Sequence, residues 1–382
     1  MPLPPELRPS PLEIAAGTVT GWSPPAPLPE VPASLTPLQA LQDAIAPALA
    51  RGRCVVPFSG GRDSSALLAA AVAAARRRGL PEPVAVTLRF PGRAGTDERE
   101  WQEAVVAHLG VRDWERIELG DELELLGPLA RETLRRHRLP WPGNGHGYVP
   151  LLRAAAGGSV ISGLDGDELL DHWQWGRRPT VREPLRLAKA LAPAPLRRVA
   201  IERRRRPFAR VGWLTPAARS AIGRAWAAER AREPVRWDRR LAWYPGRRYA
   251  RAARARLDVL GGDHGTTVVH PLVDPRFLAA LARAGGRTGF VDRGAALRAI
   301  LGDLLPARTV ARTTKAEFSE AFWGPCARRF AERWDGRGVD PAIVDAAALR
   351  AEWLAPRPDA RSATMLGAAW LQAAERGDDP LE

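Results

Sequence analysis

The stretch CVVPFSGGRDSSALL, residues Cys54 to Leu68, decides how this chain is read. A short apolar run meets a turn of small residues, Ser59-Gly60-Gly61-Arg62-Asp63-Ser64-Ser65, and an alanine-rich helical pattern begins at once. That order predicts a buried strand, an anion-cradling loop and a helix N-terminus. Gly60 and Gly61 let the backbone approach an anion closely. The hydroxyls of Ser59, Ser64 and Ser65 and the positive end of the helix supply donors and potential. The lysine of the G-x-x-x-x-G-K-[ST] phosphate loop is missing, and an acid, Asp63, stands inside the loop. An acid beside a phosphate is costly unless a cation lies between them, which makes Asp63 a candidate Mg²⁺ ligand. The competing reading is a plain strand-to-helix turn with a capping aspartate.

Outward from this loop, strand and helix patterns alternate. Upstream, TPLQALQDAIAPALARG reads as a helix with Thr36 as N-cap, proline at its first position and Gly52 as its stop. Downstream, residues 83–90, 113–119 and 157–163 read as strands, and helices are expected up to Gly79, over 97–110 and from Gly127. Strands and helices at this spacing predict a parallel sheet covered on both faces. Beyond about residue 180 the strand signal fades, and segments such as TPAARSAIGRAWAAERA read as helices. Residues 1–34 read as an extended proline-rich arm, 35–180 as an α/β core, 181–330 as a mainly helical part completing the same domain, and 331–382 as a helical tail.

Composition narrows the function classes. No apolar run is long enough to span a membrane, and two cysteines, Cys54 and Cys326, give no disulfide or metal spacing. A cytoplasmic location is the simplest expectation. The formal charge of +14 invites nucleic acid as a partner, but only Lys189 and Lys315 are lysines among 57 basic residues. That skew, with abundant Ala, Gly and Pro, reads as a coding bias, and nucleic acid is not the expected partner. The run Glu202 to Arg206 reads as a solvated helix face. Where arginine is the default cation, a lysine carries more information than usual.

Ser59 to Ser64 resembles the SGGxDS pyrophosphate loop of the N-type ATP pyrophosphatases, which cleave ATP between the α and β phosphates. A second loop, VISGLDGDELL (Val160 to Leu170), resembles the SGEGxDELFGG segment of class B asparagine synthetases and their relatives, among them β-lactam synthetases and lasso peptide cyclases. HPLVDPRFLAALA (His270 to Ala282) and LLPARTVARTTKAEFSEAF (Leu304 to Phe322) are similar to two further segments of that family. The resemblance implies an α/β parallel-sheet ATP pyrophosphatase fold (adenine nucleotide alpha hydrolase-like) with a helical C-terminal half, and ATP and Mg²⁺ as cofactors. It places Ser162 and Gly163 near the nucleotide, Asp167 with Asp63 on the metal, Lys315 on the phosphates and Thr87 to Phe90 against adenine. Asp165, Asp167 and Glu168 also read as an ordinary acidic helix start, and Lys315 as an exposed loop lysine.

The chain departs from that family at two places. Glutaminase-bearing members begin with a nucleophilic cysteine, whereas position 2 here is Pro2 and only 58 residues precede Ser59, so that domain is expected to be missing. Leu164 stands where asparagine synthetases carry glutamate, which puts aspartate activation in doubt. The resemblance then implies an amide-forming ligase acting on a small-molecule or peptide carboxylate. Its amine would come from the substrate itself, or from ammonia delivered by a partner protein. Ammonia-dependent asparagine synthesis and an RNA-modifying enzyme are the alternatives. Asn144, His146 and Tyr148, just before the second loop, are candidate substrate contacts, and His146 reads equally as a plain loop histidine.

Overall fold

A computed structural model describes residues 3–138, 141–170, 193–204, 208–314, 316, 318–377 and 381. Five strands form one parallel sheet: β1 (Cys54–Pro57), β2 (Val84–Arg89), β3 (Trp114–Glu118), β4 (Ser159–Ile161) and β5 (Thr267–Val269), in the order β3-β2-β1-β4-β5. Register is set by pairs such as Val55 with Val84, Cys54 with Ser159 and Val160 with Val268.

Side chains on a strand alternate between faces, and the two faces of this sheet build different cores. Cys54, Val56 and Phe58 pack with Ala85 and with apolar residues of the helices Pro37–Leu49, Arg62–Arg78 and Pro275–Gly285. Val55, Val84, Val86 and Val160 face the other way, onto Leu151, Leu152, Leu257 and Leu260. A further core joins Trp213, Trp353 and Trp370 with Phe330, and the N-terminal Ala15 and Ala16 belong to it.

Several expectations need correction. The helix after β1 starts at Arg62, so Asp63 lies in its first turn. β5 adds a strand with little signal of its own, since Thr267–Val269 is only three residues long and sits between a helix and Pro271. The N-terminal segment is not extended throughout: Pro11–Ala16 is a helix in which Ser10 and Glu13 cap each other's backbone amides. Residues 171–192, which include Lys189 and the start of the part expected to be mainly helical, lie outside the described residues.

The strand order carries the functional consequence. The chain moves outward from β1 through β2 to β3, then returns to place β4 on the other side of β1. Adjacent loops leaving β1 and β4 therefore diverge, opening a crevice beyond the carboxyl ends of the strands.

Candidate active site

The crevice holds a cavity of about 670 Å³ lined by both loops. Its floor is the turn after β1. Gly60 has φ of 84°, a conformation that glycine adopts without strain. A Cβ there would lie 2.9 Å from Cγ of Gln102, so any larger residue would push the loop off its support. Gln102 Nε2 donates to the Ser59 carbonyl at 3.1 Å, and Arg312 Nη1 donates to the Gly60 carbonyl at 3.2 Å. Within the loop, the Gly61 amide donates to Ser59 Oγ at 3.3 Å and Ser64 Oγ donates to the Gly61 carbonyl at 3.1 Å. The turn is thus fixed before any ligand arrives, and the first amides of helix Arg62–Arg78 open toward the cavity end.

The second loop brings Asp167 to the same cavity, in the first turn of the short helix Gly166–Leu170. Gly166 lies against the first loop: a Cβ there would sit 2.8 Å from Oδ2 of Asp63. Arg293, from the helix Arg293–Leu301, joins the two acids. Its Nε donates to Asp63 Oδ1 at 3.1 Å, its Nη2 pairs with Asp63 Oδ2 and its Nη1 with Asp167 Oδ1. Burial raises the Asp63 carboxyl above the usual range, with Arg293 pulling the other way. The Arg293 guanidinium, penalised by burial, is nevertheless held protonated by the two carboxylates. Nothing in the sequence singled out Arg293, because one arginine among 57 basic residues carries no signal.

The other acids of the second loop are spent elsewhere. Asp165 accepts from Arg254 Nη1 at 2.9 Å on both oxygens and from the Tyr244 hydroxyl at 2.7 Å. Glu168 pairs with Arg247 at 2.7 Å, and Arg247 also pairs with Glu229. Leu164 packs onto the apolar cluster around Leu151 and Val160, so a hydrocarbon side chain suits its surroundings.

The expected site residues therefore divide. Ser59, Gly61, Asp63, Ser64, Gly163 and Asp167 line the cavity. Gly60 lies behind them as the turn's support. Ser65 and Ser162 are fully buried, and Ser162 Oγ accepts from the Leu164 amide at 3.1 Å. Thr87 does not reach the cavity: its hydroxyl donates to the Phe58 carbonyl at 2.6 Å and accepts from Trp114 Nε1 at 2.9 Å. Strand alternation explains this, since Val86 and Leu88 on either side of Thr87 face the cavity instead. Lys315 lies outside the described residues; Thr313, Thr314 and Ala316 around it line the cavity.

Of the candidate substrate contacts, Asn144 and Tyr148 line the cavity and His146 does not. Burial and the charge of Asp165 push the Tyr148 phenol up to about 12. His146 is a core residue, 3.0 Å from the Leu123 carbonyl through Nε2 and edge-on to Phe322. Burial pushes its imidazole down to about 4 from an ordinary 6.5. The unfolded chain therefore binds a proton between pH 6.5 and 4 that the fold refuses. Stability from this group is complete above pH 6.5 and is lost as pH falls toward 4, by about 3 kcal/mol in all. Urea unfolding of wild type and His146→Gln at pH 7 and pH 4.5 checks this, with wild type expected to lose more; equal losses would refute the neutral buried imidazole.

The residues present fit ATP with Mg²⁺. Two carboxylates from neighbouring loops, completed by phosphate oxygens, suit an octahedral hard cation. A turn whose Ser59, Gly61 and Ser64 line the cavity beside a helix N-terminus suits a closely approaching phosphate chain. Among the described residues no group of three or more His, Cys, Asp or Glu side chains converges as a metal cage, and no helix is long and apolar enough to cross a membrane. Comparison with curated proteins gives no match. The asparagine synthase family model matches residues 38–374, a span that takes in the sheet, both loops and the helices over the cavity. The chain therefore belongs to the asparagine synthase family, a family of ATP-dependent ligases.

Proposed function

We propose that this protein activates a carboxylate as its acyl-adenylate, releasing pyrophosphate, and passes the acyl group to an amine to form an amide. The observation that carries this reading is the convergence of the β1 turn, Asp63, Asp167 and Arg293 on one cavity at the switch point of the sheet. The β1 turn and helix N-terminus would hold the β and γ phosphates. Asp63 and Asp167 would hold Mg²⁺, which when bound neutralises charge on the departing pyrophosphate. Arg293 is placed to move from the two carboxylates onto phosphate oxygens, where its fork matches their geometry. By the family resemblance, Lys315 adds a compact positive charge at the same place.

In the first step a carboxylate oxygen attacks the α phosphorus, and the bond to the β-phosphate bridging oxygen breaks. In the second, an amine nitrogen attacks the acyl carbon, AMP leaves, and the amine proton passes to a base. The apolar part of the cavity lining, with Leu164 in place of a carboxylate, favours an apolar acyl group over free aspartate. Leu123, Leu151 and Phe322 line the cavity with Tyr148, and the arginines that line it, Arg62 and Arg293, stand beside Asp63 in the β1 turn and against the Asp63/Asp167 pair. A small-molecule or peptide carboxylate bearing its own amine suits that lining, delivered by a separate protein or served by a partner's ammonia.

Pyrophosphate release from ATP and Mg²⁺ tests the proposal. Candidate apolar carboxylates, peptides with a free amine, and aspartate with ammonium are offered in parallel. Release with an apolar carboxylate is the expected result. Release with aspartate and ammonium alone would convert the protein to an ammonia-dependent asparagine synthase. Phosphate in place of pyrophosphate would overturn the adenylate step.

A further inference from the structure

We propose that Arg254 and Tyr244 are positioning residues, which lock Asp165 in a left-handed backbone conformation and thereby aim Asp167 at Asp63. The proposal rests on the reading of Asp63 and Asp167 as the Mg²⁺ pair. β4 ends at Ile161, and the chain has four residues in which to turn into the helix starting at Gly166. Asp165 makes that turn with φ of 79°. A residue with a Cβ is disfavoured there, aspartate less than most, and the conformation persists only when its surroundings over-determine it.

The surroundings do so. The Asp165 side chain is 3% exposed, and both of its oxygens are held by Arg254 Nη1 at 2.9 Å. The Tyr244 hydroxyl, on a fully buried ring, adds a third bond at 2.7 Å. Neither Arg254 nor Tyr244 lines the cavity, so neither touches a ligand there. Asp167 follows two residues later, so the turn sets where its backbone enters the site, and its carboxylate then meets Arg293. The helix is pinned on its far side as well, by Arg240 on the Leu169 carbonyl at 3.0 Å and by Arg247 on Glu168 at 2.7 Å. Those contacts fix where the helix lies; the Asp165 lock fixes how the chain enters it.

Glycine adopts the left-handed conformation without help, which supplies a test that separates aiming from general damage. Binding of α,β-methylene-ATP is measured by calorimetry with and without Mg²⁺, in wild type, Arg254→Met, Tyr244→Phe and the double variant Asp165→Gly/Arg254→Met. In Arg254→Met the gain in affinity that Mg²⁺ confers should shrink by about tenfold, as for other residues that orient metal ligands. Tyr244→Phe should show a smaller loss in the same direction. Mg²⁺-free affinity should change little in either. The double variant should regain most of the Mg²⁺ gain, since glycine needs no lock and the buried carboxylate is gone. Retention of the full Mg²⁺ gain in Arg254→Met, or a double variant no better than Arg254→Met, overturns the lock while leaving the metal pair intact. A wild type whose affinity Mg²⁺ does not raise overturns the metal pair, and the lock with it.

Discussion

Arg293→Met should leave the protein dependent on Mg²⁺ for a stability that wild type has without it. The guanidinium is 9% exposed and is shared by Asp63, at 19%, and Asp167, at 42%. Removing it takes away the cation that the two neighbouring carboxylates share, with Asp63 partly buried. Breaking one partner out of a buried pair costs about 3–5 kcal/mol. The Asp167 half is screened by water and adds little to that, so about 3 kcal/mol is the expected loss in EDTA. Mg²⁺ should return much of it in the variant and give wild type a smaller increment. Pyrophosphate release should fall about 10²- to 10³-fold, because a cation that can follow the developing phosphate charge is gone. Arg293→Lys should keep part of the rate and less of the stability, since an ammonium cannot fork between two carboxylates. Urea titrations with EDTA or Mg²⁺ read the first effect directly. A variant as stable as wild type in EDTA, or indifferent to Mg²⁺, would show that Arg293 does not hold this pair together.

Why this residue was invisible in the sequence while Asp63 was plain is a matter of local against distant information. The turn after β1 announces itself through neighbours: an apolar strand, two glycines, three hydroxyls and an acid within twelve residues. Every one of those features acts on the residue beside it. Asp167 was legible for the same reason, in a short Gly/Asp-rich loop after a strand. Arg293 reaches the site from 230 residues beyond Asp63, by a contact that only the folded sheet creates, and the arginine-rich composition hides it. The partners of Asp165 lie 79 and 89 residues away and are equally silent. Thr87 failed differently, since period-two alternation along VAVTLR puts it opposite Val86 and Leu88. The resemblance names Thr87 to Phe90, and of these the pleat turns Leu88 and Phe90 to the cavity. His146 sits in a glycine-rich segment that reads as a loop, yet the fold buries it against Phe322.

The other large effect is expected at Arg312, whose part in the site is to hold the floor of the cavity. Its guanidinium is 3% exposed and pairs with Glu98, which is 7% exposed. It lies 4.5 Å from the Trp101 ring centroid, and its Nη1 donates to the Gly60 carbonyl. Nε donates to Thr314 Oγ1 at 3.0 Å, tying in a segment whose Thr313, Thr314 and Ala316 line the cavity. Arg312→Met leaves the Glu98 carboxylate buried with no cation, and a loss of about 3–5 kcal/mol follows. Glu98→Leu/Arg312→Met removes both charges and should recover most of that stability, because an apolar pair of similar bulk often replaces a buried ion pair without penalty. Nucleotide binding should not recover with it. In the double variant the Gly60 carbonyl still lacks its donor, and the β1 turn is held by Gln102 and its own serines alone. Calorimetric ATP affinity should therefore remain about tenfold weaker, roughly the worth of one charged hydrogen bond, while the urea midpoint returns toward wild type. If affinity and stability recover together, Arg312 serves the fold and not the phosphate turn. If stability alone recovers, the buried pair and the anchor of Gly60 are separate duties of one side chain.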